Sequence, residues 1–209
     1  MNKLALISEL WLLILISGWV TGCTGMVYQH MNDPARDAWQ KPQAVMAKLD
    51  VVSGMKVADL GAGGGYFTWR LAEAVGKQGK VYAVDIDDVA LDIVKAEMSA
   101  RGISNVVSIL AELNDPKLPE AVDLVFCSDT YHHMQDRVDY FRSLQHYLKP
   151  AARVAILDFH PHGIFSGLLG HGTDKAEVQR EMELAGYRLV ADYDVIDRQN
   201  FQIFTKEKP

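Results

Sequence analysis

Residues able to do chemistry gather in two places along this 209-residue chain. The first is Val57-Ala58-Asp59-Leu60-Gly61-Ala62-Gly63-Gly64-Gly65-Tyr66-Phe67. Glycines between a predicted strand and a predicted helix let backbone approach a ligand closely at a helix N-terminus. Asp85 closes the next predicted strand, in Val81-Tyr82-Ala83-Val84-Asp85-Ile86. A carboxylate there can accept hydrogen bonds from ribose hydroxyls. The spacing is Gly61-x-Gly63-x-Gly65, and Tyr66 stands where a dinucleotide-binding turn needs its last glycine. This argues against a nicotinamide enzyme.

The second place is Cys127-Ser128-Asp129-Thr130-Tyr131-His132-His133, directly after an apolar run. Ligands of open parallel sheets sit at the carboxyl ends of the strands. Asp129, His132 and His133 are therefore candidate catalytic groups, since a carboxylate or imidazole can take a proton from a reacting oxygen or nitrogen. The plainer alternative has Asp129 capping the following turn and the histidines only packing. His160, His162 and His171 lie in a glycine-rich loop, and with His132 and His133 they could ligate a metal ion. Loop histidines are more often solvated, so no metal site is assigned. The stretch from His160 to Gly172 reads better as a lid over the substrate. The two cysteines, Cys23 and Cys127, are too few for a disulfide framework or a zinc site.

The elements that would position these groups follow from periodicity. Strands are predicted over 56–60, 80–84, 106–110, 122–127 and 153–159. Helices are predicted over 66–75, 89–100, 137–148, stopped by Pro150, and 174–185, capped by Asp174 or Thr173. Asn32-Asp33-Pro34 reads as a helix start, and Pro42 as the first position of a short helix to Leu49. Alternation of strands and helices implies a parallel sheet covered on both faces. The last two strands, 187–194 and 201–205, are joined too tightly for a parallel crossover and should pair antiparallel. The fold class is thus α/β, a Rossmann-like, doubly wound, mostly parallel sheet with a C-terminal antiparallel strand pair.

Hydrophobic residues make up 49% and charged residues 23%, ordinary for one globular domain. The net charge of -6 does not suit a phosphate backbone, so nucleic acid is not an expected partner. Residues 1–22 have Lys3 followed by the apolar stretch Leu10 to Val20, the pattern of a signal peptide or membrane anchor. Val20-Thr21-Gly22-Cys23 resembles a bacterial lipobox, in which the Cys becomes lipidated. The chain divides into this segment, a linker with short helices over 23–53, and a catalytic domain over 54–209. A membrane-associated lipoprotein is the expectation, with a cytoplasmic protein as the alternative.

Taken together, Asp59, Gly61, Gly63, Gly65 and the strand-ending Asp85 resemble the first two motifs of class I S-adenosylmethionine-dependent methyltransferases. The resemblance covers about residues 54 to 206. Trp39-Gln40-Lys41-Pro42 and Asp129-Thr130-Tyr131-His132-His133 are similar to a bacterial subgroup of these enzymes. The resemblance implies S-adenosylmethionine as cofactor, held by Asp59, Gly61, Gly63, Gly65, Asp85 and Ile86, with Glu112 near the adenine. It implies methyl transfer to a small-molecule or membrane-associated acceptor, with Asp129 beside the transferable methyl group. One departure is Lys149-Pro150-Ala151-Ala152, where the family has Gly-Gly after the Pro, so strain is expected at the alanines. The alternative from another class is an envelope-anchored lipoprotein that kept the fold and binds ligand without catalysis.

Overall fold

The computed structural model describes residues 32–161 and 172–207. The signal or anchor segment, Cys23, His162, His171 and nearly all of the predicted lid lie outside the described residues.

Seven strands form one sheet: β1 (Lys56–Leu60), β2 (Lys80–Asp85), β3 (Val106–Leu110), β4 (Val122–Ser128), β5 (Leu148–Phe159), β6 (Tyr187–Tyr193) and β7 (Gln199–Lys206). Their order is β3-β2-β1-β4-β5-β7-β6. Strands β1 to β5 run parallel, while β7 is antiparallel to both β5 and β6. The terminal pair is therefore antiparallel, as its short connection requires. The second of the pair, β7, docks against β5 and leaves β6 at the edge.

Among the described residues six α-helices accompany the sheet: α1 (Asp37–Gln40), α2 (Pro42–Leu49), α3 (Thr68–Val75), α4 (Asp88–Ala100), α5 (Arg137–Leu144) and α6 (Lys175–Leu184). One face carries Ala58, Leu60, Val125, Ile156 and Phe204 against Phe141 and Leu144 of α5 and Val178 and Met182 of α6. The other carries Val57, Leu124, Phe126 and Ile203 against Leu49 of α2 and Leu71 and Val75 of α3. Ala83 packs with Val94 and Met98 of α4. Alternate side chains of each central strand thus go to opposite apolar layers, which is why Leu124 to Cys127 are all buried.

Three details differ from the pattern in the sequence. The helix predicted over 137–148 ends at Leu144, passes through a 3-10 turn at Gln145–Tyr147, and gives way to β5 at Leu148. Pro150 therefore lies within the strand and does not stop a helix. The ladder explains this: Val122 pairs with Leu148 and Leu124 with Arg153, so the intervening residues of β5 form an irregularity. A proline, which cannot donate to a ladder, fits there. Ala151 and Ala152 are not among the described residues with positive φ, so the strain expected at them does not arise. Finally, the helix predicted from Tyr66 begins at Thr68, because Tyr66 and Phe67 belong to the turn.

Candidate active site

The glycine loop joins β1 to α3. Gly61, Gly63 and Gly65 have φ of 73°, 52° and 88°, values that L side chains avoid. Gly61 is constrained twice. A Cβ there would lie 2.1 Å from Thr130 Oγ1, so only glycine lets the loop pass against the segment after β4. The loop is tied to the end of β2: Gly63 N–H donates to Asp85 Oδ2 at 2.8 Å, and Asp87 N–H donates to Asp85 Oδ1 at 3.1 Å. Burial raises the Asp85 carboxyl above the usual range, and these backbone donors oppose that.

Asp59 is 3% exposed and points beneath the loop, where Thr68 Oγ1 donates to it at 2.6 Å. Burial pushes its carboxyl up to about 7, against the Thr68 hydrogen bond. Ile86 is 58% exposed and Leu113 is 80% exposed, although both are apolar. They flank a cleft of about 160 Å³ that also takes in Gly61, Asp85, Glu112 and His133. Glu112 pairs with Lys117 and presents an acidic rim. An exposed apolar pair beside a hydrogen-bonded carboxylate suits a nucleoside, with the flat base between side chains and the ribose at Asp85.

A second cavity adjoins the cleft at Gly61 and Thr130, and Arg36, Asp59, Tyr66 and Asp129 line it. Asp129 follows β4 with φ of 54°, an uncommon conformation outside glycine. Its N–H donates to Leu157 O at 2.8 Å, which fixes it to β5. Its carboxylate does not cap the following turn. It accepts hydrogen bonds from Arg36 Nη2 and Gln199 Nε2. Burial raises it to about 6, and the Arg36 charge pulls the other way.

The two histidines occupy different surroundings. His132 Nδ1 is 2.6 Å from Asp158 Oδ1, and Asp158 is fully buried at the end of β5. An ionised Asp158 accepts from Nδ1, and that pairing selects the tautomer with its lone pair on Nε2. The His133 ring lies 3.9 Å from that of His132 and faces the nucleoside cleft. His160 stands after β5, hydrogen-bonded through its N–H to Arg198 O at 3.0 Å. Among the described residues no group of three or more His, Cys, Asp or Glu could hold a metal ion. Burial pushes the Cys127 thiol up, out of the reactive range.

Arg36 and Gln199, which contact Asp129, Asp158, which contacts His132, and Gln40, which contacts Arg36 and Gln199, were not among the candidates drawn from the sequence. For Asp158 a signal exists: it ends the apolar run Val154-Ala155-Ile156-Leu157, as Asp85 ends that of β2. For Gln40 the only signal is its place in Trp39-Gln40-Lys41-Pro42. No sequence feature marks Arg36 or Gln199.

The fold, with a glycine loop after β1 and an acidic residue closing β2, is that of an S-adenosylmethionine-dependent methyltransferase. The chain belongs to the methyltransferase domain family, which matches residues 51–200. It is similar to the ubiquinone/menaquinone biosynthesis C-methyltransferase UbiE of Shewanella frigidimarina, 32% identical over 109 residues, 51% of this chain and 43% of the relative. UbiE of Francisella philomiragia is 29% identical over 138 residues, 63% of this chain and 54% of the relative. The chain thus spans about half the length of these curated relatives. Among solved structures, an S-adenosylmethionine-dependent methyltransferase from Aquifex aeolicus superposes with a TM-score of 0.77 at 26% identity, covering 86% of this chain and 97% of that one. The methyltransferase CcbJ of Streptomyces caelestis, at 16% identity and TM-score 0.66 over 80% of this chain and 89% of that one, shares the fold.

Proposed function

We propose that the protein methylates a small-molecule acceptor held above Asp129 and His132, and that one of these residues takes the acceptor's proton. The observation that carries this reading is a buried carboxylate, Asp129, lining the cavity that adjoins the nucleoside cleft, with the Asp158-backed imidazole of His132 near enough to act on its charge.

The residues present fit the cofactor. Asp85 has both oxygens aligned by backbone donors, Gly61 offers close approach, and Ile86 and Leu113 offer apolar flanks. When bound, S-adenosylmethionine supplies an electrophilic methyl group on a sulfonium that is already a good leaving group. The chain's own task is then mostly alignment. Holding a nucleophile in line can supply much of the rate by proximity alone. Asp129 is fixed for this through its N–H and through both carboxylate partners. His132 Nε2 is the second proton acceptor, oriented by Asp158.

The names of the UbiE relatives support a ring-bearing, lipid-soluble acceptor, and the apolar stretch in residues 1–22 supports one reached at the membrane. Among the described residues no helix is long and apolar enough to cross a membrane. Attachment through residues 1–22 or a lipidated Cys23 belongs to the same proposal, and the net charge of -6 keeps nucleic acid out of it.

The test uses the full-length protein with S-adenosylmethionine carrying a labelled methyl group. It is incubated separately with a soluble metabolite fraction and a membrane-lipid extract. Label entering an extractable small molecule is the expected result, and the fraction that takes it tells a soluble acceptor from a membrane one. Label in neither fraction, or only in protein, would overturn the reading. Protease access in intact cells locates the domain relative to the membrane.

A further inference from the structure

Residues 32–41 form a strap across the glycine loop. Asn32 Nδ2 donates to Gly64 O at 2.5 Å, and Arg70 Nη2 donates to both Asp37 oxygens at 2.8 and 3.0 Å. At the other end of the strap, Gln40 Nε2 donates to Gln199 Oε1 at 2.7 Å. Trp39 precedes that anchor in the chain, and Arg198 precedes its partner. Their side chains meet, with the Arg198 guanidinium 5.5 Å from the centre of the Trp39 ring.

Trp39 begins a path of rings. Its centroid is 5.7 Å from that of Phe159, with the planes 33° apart, and Phe159 lies 6.4 Å from His132, edge to face. The path therefore runs from Arg198 to the imidazole that Asp158 backs. Trp39 and Phe159 are both half-buried, so part of each ring remains open to solvent. Such rings give a flat ligand both apolar area and stacking.

The charge at the outer end of the path is unmatched. Arg36 also stands over Trp39, at 5.7 Å, but Asp129 takes its charge. Asp197, next to Arg198 in the chain, is paired with Lys41 at 3.4 Å. Among the described residues no carboxylate pairs with Arg198, which is exposed. Its backbone is nevertheless fixed: the Arg198 carbonyl accepts from His160 N–H at 3.0 Å, and Gln199 N–H donates to Ile196 O at 3.2 Å. In a chain of net charge -6, a held guanidinium without an acid partner favours an anion. The rings select a flat molecule, and the fork of a guanidinium matches a carboxylate on it.

Resting on the small-molecule reading above, we infer that the methyl acceptor is an aromatic acid, with its ring along Trp39 and Phe159, its carboxylate at Arg198 and its nucleophilic atom toward Asp129 and His132. Arg198 is then the residue that sets acceptor specificity.

The probes are 2-naphthoate and its uncharged amide, 2-naphthamide, titrated into full-length protein saturated with S-adenosylhomocysteine. Calorimetry should show 2-naphthoate binding about tenfold or more tightly than 2-naphthamide, as a hydrogen bond to a charged group provides. Arg198→Gln should bring the two probes within about twofold of each other, with unchanged S-adenosylhomocysteine affinity as the check on folding. Trp39→Leu should weaken both probes by roughly threefold or more. Equal affinities in the wild type, a preference for the acid that survives Arg198→Gln, full affinity for both probes in Trp39→Leu, or no binding of either probe would overturn the inference. Wild-type protein that does not bind S-adenosylhomocysteine would overturn the cofactor reading instead. Label found only in protein in the transfer assay would overturn the small-molecule reading on which the inference rests.

Discussion

Asp158 stands directly behind His132, with Oδ1 2.6 Å from the imidazole Nδ1, while its other oxygen is buried and accepts no hydrogen bond from the described residues. A buried acceptor left unmatched costs about 1–3 kcal/mol, so apolar packing alone does not account for this carboxylate. Orienting an imidazole does. Asp158→Asn keeps the volume but can present an amide N–H to Nδ1, which favours the wrong tautomer. It should lower kcat roughly 100-fold while KM and S-adenosylhomocysteine affinity stay near wild type. Kinetics with an identified acceptor checks this. Unchanged turnover per folded molecule would make Asp158 a packing residue.

For Asp129 the charge state matters, and its carboxyl is pushed up to about 6 by burial. A base works when ionised, so turnover limited by Asp129 should rise with pH through about 6. Asp129→Asn should remove that limb and lower turnover by roughly 100-fold or more, with the fold kept. Single-turnover rates from pH 5 to 8 make the comparison. A variant with wild-type rates and the same profile would hand the role to His132.

Asp59 supplies a stability test that needs no acceptor. Burial holds its folded-state carboxyl at about 7, well above the usual 3.8. The folded protein therefore keeps this proton where the unfolded chain has lost it. Its contribution to stability is full below about pH 4, falls as pH rises from about 4 to 7, and levels off above that. At about 1.4 kcal/mol per unit, the loss is on the order of 4 kcal/mol. Asp59→Asn retains an acceptor for the Thr68 hydroxyl but has no charge to bury. It should match wild type in denaturant unfolding at pH 4 and exceed it at pH 8. Parallel curves at both pH values would show that the Asp59 charge is matched in the fold.

Gly61 is testable by a pair of substitutions. Gly61→Ala puts a Cβ into the Thr130 side chain and imposes strain at φ of 73°. It should destabilise the protein by about 1–3 kcal/mol and weaken S-adenosylhomocysteine binding. Adding Thr130→Gly removes the clash but not the strain, so thermal unfolding should recover only in part. Full recovery would mean that the backbone angle is of no consequence.

The parts of this molecule that repeat were legible in its sequence. The central strands show as apolar runs because both faces of the sheet are covered, and α3 and α4 show as stripes because one side of each packs on the sheet. Asp85 and Asp129 were legible for a related reason, as polar residues that end apolar runs point to the ligand side of such a sheet. The start of β5 was not, because Leu148 joins the ladder across an irregularity and Pro150 suggests a stop. Nor was the strap. Arg36 and Gln40 lie in a turn-rich stretch without periodicity, and their partners Asp129 and Gln199 are 93 and 159 positions away. Polar contacts over such distances leave no local trace in a single sequence.

The position of β7 between β5 and β6 also bears on how the molecule is born. A ribosome releases β6 before β7, yet β6 pairs only with β7 among the described strands. Until Gln199–Lys206 emerges, the growing sheet ends at an open β5 edge, an invitation to pair with other chains. The same late strand brings Gln199 to Asp129 and to Gln40. A nascent chain can thus bring Asp129, His132 and Asp158 together while translation continues, but Asp129 gains its Gln199 partner only once β7 is threaded into the sheet.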